Sequence, residues 1–191
     1  VSGTYFVQTW EDSFRSRPAT GCNATTEYWG APTGTQSVLV KRIVTSSTSF
    51  ADYEGFYSDT ACTSRLGYVE KRYSNVSVGD QVSGLDSSSG RPTSGYRVTY
   101  NPDCAKIMGD TDAATAAFNS SESGNLKLEL LTTGTEKVFG FGENSVYNKH
   151  YSIWGAGDNG TTYSFYPALG GSADYEPSDW DANSGGNTYQ R

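Results

Sequence analysis

Hydrophobic and polar residues alternate along most of this chain with a period of two. In "SVLVKRIV" (37–44), Val38, Val40 and Val44 fall on one face and Leu39 and Ile43 on the other. "GYRVTY" (95–100) sets Tyr96, Val98 and Tyr100 against Arg97 and Thr99, and "NLKLELL" (125–131) turns Leu126, Leu128 and Leu130 inward. "KVFGF", "SVYNKHYSIW" and "TYSFY" continue the pattern. Strict alternation rich in β-branched and aromatic residues is the signature of half-buried antiparallel strands. Between these runs lie "APTGT", "DSSSGRPTSG", "TTGT" and "GDNGTT", whose Gly, Pro, Asp and Asn residues are turn formers.

One segment breaks the pattern. "GDTDAATAAFNSS" (109–121) offers Asp110 or Thr111 as an N-cap, then an alanine-rich run ending at Phe118, which predicts a helix of two or three turns. The expected fold is therefore all-β: an antiparallel barrel or strongly curved sheet of about nine or ten strands with one short helix as plug or lid. A β-sandwich is the alternative, because periodicity does not distinguish closure from stacking. Residues 1–169 read as one such domain. Residues 170–191 read as a Gly/Ser/Asp-rich tail with Tyr175, Trp180 and Tyr189 spaced along it, too poor in apolar surface to order itself in isolation.

Composition narrows the class of partner. Lys and Arg total 14 against 21 Asp and Glu, a net charge of -7. That balance disfavours nucleic acid and anionic membranes as partners. No apolar run approaches the roughly 20 residues of a membrane helix. The three cysteines, Cys22, Cys62 and Cys104, allow one disulfide and one leftover thiol, with Cys22–Cys62 the favoured pair among three possibilities. Sequons begin at Asn23, Asn75, Asn119 and Asn159. Beside a cysteine, at a helix end and in a turn, they suit a secreted protein carrying N-linked glycans.

Candidate chemistry is sparse. The single histidine, His150, lies in a tyrosine-rich strand with no G-x-S-x-G elbow elsewhere. One histidine and widely spaced cysteines build no ordinary zinc site. "GFGENS" (140–145) lacks the third glycine of a phosphate loop, and "DWDANSG" (179–185) places its glycine one position late for an EF-hand, with Gln190 at position 12. No cofactor is expected. Paired carboxylates are the remaining option: "FADYEGFYSD" (50–59) strings Asp52, Glu54 and Asp59 among aromatics, as glycosidases do. There Asp52, Glu54 and Phe56 share one strand face, and Tyr53 and Tyr57 the other.

An N-terminal G-x-[WY] strand in "SGTYFVQTW" leads to a Y-x-D-x-x-C strand (Tyr57, Asp59, Cys62), then to a tyrosine strand with a glycine turn (Tyr73, Gly79). This pattern resembles secreted lipocalin-like barrels, including extracellular domains of the adenomatosis-polyposis-coli down-regulated type. "DAATAAFNSS" resembles the short helix before a late strand in uncharacterised secreted relatives. The resemblance spans roughly residues 3–130 and departs at the start, where Trp10 and Cys22 are too far apart for the W-x-x-x-C strand. It implies a binding or structural barrel without catalytic residues.

Three functions follow as expectations. The first is a non-enzymatic secreted structural subunit that assembles with copies of itself. Its N-terminal strand would supply Tyr5, Phe6, Val7 and Trp10, and its tail Tyr175, Trp180 and Tyr189, as anchors. The second is a lipocalin-like barrel for a lipid or small apolar ligand, with Leu126, Leu128 and Phe139 lining its cavity. The third is a glycan hydrolase.

Overall fold

The structure, a computed structural model, describes residues 3–12, 15–18, 22–24, 31–85, 93–120, 131–140, 149–158, 163–167 and 188–190. The expectations placed on Leu126, Leu128, Asn159, Tyr175, Trp180, the "DWDANSG" run and "GFGENS" beyond Gly140 fall outside them.

Eleven strands and one helix are described. They are β1 (Gly3–Asp12), β2 (Arg15–Pro18), β3 (Cys22–Ala24), β4 (Ser37–Ser46), β5 (Ser49–Tyr57), β6 (Arg65–Ser83), β7 (Ser94–Gly109), α1 (Asp112–Ser120), β8 (Lys137–Gly140), β9 (His150–Asp158), β10 (Tyr163–Pro167) and β11 (Thr188–Gln190). All pairings are antiparallel, and the sheet runs β2-β1-β11-β10-β9-β7-β6-β5-β4-β3, with β8 beside β7. β1 pairs with both β11 and β4, so one strand meets both edges of the ladder β4-β5-β6-β7-β9-β10-β11. The expected all-β curved sheet with one short helix is the observed architecture. β11 lies inside the segment read as a tail; its three residues join the sheet between β1 and β10.

The centre of the sheet is the long ribbon of β6 and β7, paired from Gly67↔Gly109 to Ser83↔Ser94. Three register shifts interrupt it, near residues 72–73, 74–77 and 78–81. Each bulge adds local twist, which lets strands of this length curl instead of splaying. β7 runs straight through Pro102, although proline cannot donate to a ladder. It is tolerated because β9 pairs with β7 over residues 96–100 and β8 over residues 104–107, leaving Pro102 between the two partners.

α1 covers one end of the inner face. Its N-cap is Thr111, whose hydroxyl accepts from the Ala114 N–H at 3.2 Å. Ala114, Thr115 and Phe118 are its buried residues, and Phe118 packs on Phe56 at 5.9 Å between ring centroids. Val38, Phe56, Ile107, Ala114, Phe118 and Leu131 form the main core cluster, with Phe139 half-buried against it. The helix lies close because Gly67 and Gly109 face each other beneath it. A Cβ on Gly67 would stand 2.6 Å from the Met108 carbonyl and 2.8 Å from Phe118 Cε2. One on Gly109 would stand 2.7 Å from the Thr115 nitrogen.

Cys22 and Cys62 form a disulfide, and Cys104 is free and half-buried. The bridge ties β3 to the loop after β5. Within that loop Asp59 accepts backbone N–H bonds from Ala61 at 2.8 Å, Thr63 at 3.1 Å and Ser64 at 2.5 Å. Ser37 donates to the Asp59 carbonyl at 2.5 Å, which fastens the same loop to β4.

Candidate functional site on the inner face

Directly paired residues in an antiparallel ladder point to the same face, so the registers define rows across the sheet. On the face covered by α1, Val38, Phe56, Gly67 and Gly109 make one row. Val40, Glu54, Val69, Ile107 and Lys137 make the next, followed by Arg42, Asp52, Lys71, Ala105 and Phe139, and then by Val44, Phe50, Tyr73 and Pro102. β5 therefore divides as its alternation predicts: Phe50, Asp52, Glu54 and Phe56 inward, Tyr53 and Tyr57 outward.

The third row is the anomaly. A core face is ordinarily apolar, yet this row carries Arg42, Asp52 and Lys71, and Glu54 lies one row away. Arg42 is 6% exposed. Its guanidinium grips Asp52 by two parallel bonds, Nε to Oδ1 at 2.6 Å and Nη2 to Oδ2 at 2.7 Å. It also stacks over Phe50 at 4.5 Å and Trp154 at 5.7 Å. This planar, bidentate, ring-stacked geometry is what arginine provides and lysine does not. Lys71, in the same row, is exposed. The inner face is thus open to water at the middle of β6.

Beside the charges lies an aromatic cluster. Phe50 stacks on Tyr73 at 4.6 Å and meets Tyr100 and Trp154 edge-on at 5.1 and 5.3 Å. His150 lies flat on Tyr100 at 5.3 Å. Burial raises the Tyr73 hydroxyl well above its ordinary range, the Asp52 charge adding to it, and burial likewise raises Tyr100. Burial lowers His150, so its ring is neutral near pH 7. These groups form a mostly neutral aromatic wall with one ion pair set into it.

The outer face carries a second polar layer, built for support. Tyr53 stacks on Tyr68 at 5.4 Å; Lys41 sits over Tyr53 and Arg65 over Tyr68, at 4.6 and 4.7 Å. Arg65 pairs with Asp110 at 2.6 Å, Lys106 pairs with Glu136 at 2.8 Å, and the Tyr68 hydroxyl donates to Glu136. Burial and the bond to Tyr53 push Tyr57 up to about 12.

Of the carboxylates of "FADYEGFYSD", the structure brings Asp52 and Glu54 to one face and leaves Asp59 in the loop after β5. Both oxygens of Asp52 are engaged by Arg42, and Asp59 is spent organising its own loop. Only Glu54 shares the inner face with Asp52. Among the described residues no group of three or more His, Cys, Asp or Glu is placed to hold a metal ion. No described helix is long and apolar enough to cross a membrane. Tyr5, Phe6, Val7 and Trp10 lie in β1 and Tyr189 in β11, where Val7 and Tyr189 are direct ladder partners. Arg42 is not among the sequence candidates, although it occupies the frame of Val38, Val40 and Val44, where a charged side chain interrupts an apolar face. No family model and no curated protein matches the chain, so the lipocalin-like resemblance rests on its residues alone.

Proposed function

We propose that the chain is a non-enzymatic, secreted, lipocalin-like binding protein that takes a small, largely apolar ligand with a polar group on its inner face. The supporting observation is the Arg42–Asp52–Lys71 row, with the exposed Lys71 at one end of an aromatic wall. Burying ions costs several kcal/mol each before pairing offsets it, and an apolar row would stabilise the sheet at least as well. A ligand gives such a row a use: rings bury its body, and the charged groups orient its polar end. The disulfide fits an oxidising compartment. Native mass spectrometry of protein purified gently from its natural source should find a bound small molecule. Titration with that molecule should change Trp154 fluorescence, an effect lost in Trp154→Phe. Protein that carries no ligand, and whose fluorescence is indifferent to a panel of fatty acids, sterols and aromatic acids, would end this reading.

A second reading keeps the chain as a subunit that assembles with copies of itself. Its support lies in β1. The seam between β1 and β11 has three residue pairs and a register shift, a short ladder that a neighbour's β1 could replace through the same contacts. Fibres seen by electron microscopy in native material, and lost on deletion of residues 1–12, would support it. A monomer in sedimentation at high concentration would exclude it.

A further inference from the structure

Two of the four sequons, at Asn75 and Asn119, lie in contrasting surroundings. Asn75 is exposed and sits at a bulge, where Asn75 and Val76 together oppose Tyr100 across the ladder. Its φ of 53° is left-handed. Asparagine tolerates that conformation better than most residues, and a G1-type bulge asks for it. The Val76 N–H turns away from β7 to donate to the Thr48 carbonyl at 3.1 Å. Ser77, the hydroxyl residue of this sequon, is exposed as well.

Asn119 is half-buried at the end of α1, and both the oxygen and the nitrogen of its amide are engaged. Oδ1 accepts from the Leu131 N–H at 2.8 Å, and Nδ2 donates to the Leu131 carbonyl at 3.3 Å. This two-point clamp seats Leu131, 5% exposed, in the core beside Phe118. A carboxamide pairing with the N–H and C=O of one residue uses its oxygen and the amide hydrogen on the same side as that oxygen. An N-linked sugar replaces that same hydrogen, because the substituted amide takes the trans arrangement of any secondary amide. The clamp and the sugar therefore exclude each other.

We propose that, of this pair, Asn75 is the glycosylation site, and that Asn119, despite an intact sequon, is reserved by the fold as a clamp on Leu131. The proposal rests on the secreted-glycoprotein reading. Sugar is transferred before folding is complete, so chains modified at Asn119 would fold without their clamp and be depleted from secreted material.

The test is expression of the full chain behind a secretory leader in a eukaryotic host, with site occupancy read by peptide mass spectrometry. Asn75 should be occupied and Asn119 bare. Asn75→Gln should remove the mass of one glycan. Ser121→Ala, which erases the second sequon and leaves the Asn119 amide intact, should change neither glycan mass, secretion nor Tm. Asn119→Asp keeps the acceptor and loses the donor, and should lower Tm. Occupied Asn119 in the folded fraction, one glycan fewer in Ser121→Ala, bare Asn75, or an unchanged Tm in Asn119→Asp would each overturn the proposal. A bare chain from the natural source, with Asn75 occupied in the host, would instead fell the secreted-glycoprotein reading and leave the site preference standing.

Discussion

Arg42 and Asp52 are a buried pair, and the cost of disturbing them depends on how it is done. Asp52→Asn removes the charge that grips the guanidinium under Phe50 and Trp154, and should destabilise the fold by about 3–5 kcal/mol. Replacing both, as Arg42→Met with Asp52→Leu, removes the desolvation penalty along with the attraction and should cost far less. Urea unfolding of the two variants separates these outcomes, and equal losses would show that the pair is not acting as a unit. Asp59 gives a pH-dependent counterpart on the surface. The N–H of Thr63 foremost, then those of Ser64 and Ala61, lowers it from the ordinary 3.8 to about 2. A carboxylate depressed in the folded state stabilises fully above the unfolded value and loses that contribution as pH falls through the folded one. The window is therefore from about pH 4 down to about pH 2. Thermal melts should show Asp59→Ala less stable than the parent at pH 6, with the gap closing across that window.

The helix shows how an element depends on positions outside it. α1 has nine residues, too few to persist alone in water. Its Thr111 cap starts it, and the Thr115 hydroxyl, donating to the Thr111 carbonyl at 2.9 Å, secures the first turn. What holds it is the bare patch made by Gly67 and Gly109. Gly67→Ala should lift α1 from the sheet and cost about 1–3 kcal/mol by overpacking, read as a lower urea midpoint with an unchanged m-value. The sequence "DAATAAF" announces the helix clearly. The docking patch is not legible, because its two glycines are separated by a long stretch of chain and meet only through the β6–β7 register. β7 makes the same point. Its local pattern ends at Tyr100, before Asn101 and Pro102, yet the strand continues to Gly109 because β8 takes over as its neighbour.

At the scale of the molecule the disulfide is the longest-range covalent constraint. Cys22 and Cys62 are 40 residues apart in sequence, and closing such a loop restricts the unfolded chain by about 3–4 kcal/mol in the chain-entropy model. Cys22→Ser with Cys62→Ser should lower Tm by roughly 2–4 °C per kcal/mol lost for a chain of this size. The same shift should follow reduction of the parent. An unchanged Tm would mean that the Asp59 loop holds without its bridge. Because β3 contributes only three residues to the sheet, its release is the expected first step of reduced unfolding, visible as early hydrogen exchange in residues 22–24.

Local chemistry alone determined several features. Alternation set the strands and split β5 into an inner acidic–aromatic face and an outer tyrosine face, because strand geometry has a fixed period of two. A capping residue before an alanine run, Asp110 or Thr111, set the helix start to within one position, because a side-chain oxygen there satisfies an orphan N–H. Tertiary structure decided what local chemistry could not reach. It placed Arg42 opposite Asp52 and turned an apparent catalytic carboxylate into half of an ion pair. It also carried Lys71 into the same inward row and gave the Asn119 amide to Leu131 twelve residues on. Each of these depends on which residue of a distant strand or loop lies opposite. A one-residue slip in register would reverse every one of the cross-strand placements, and no local pattern encodes that alignment.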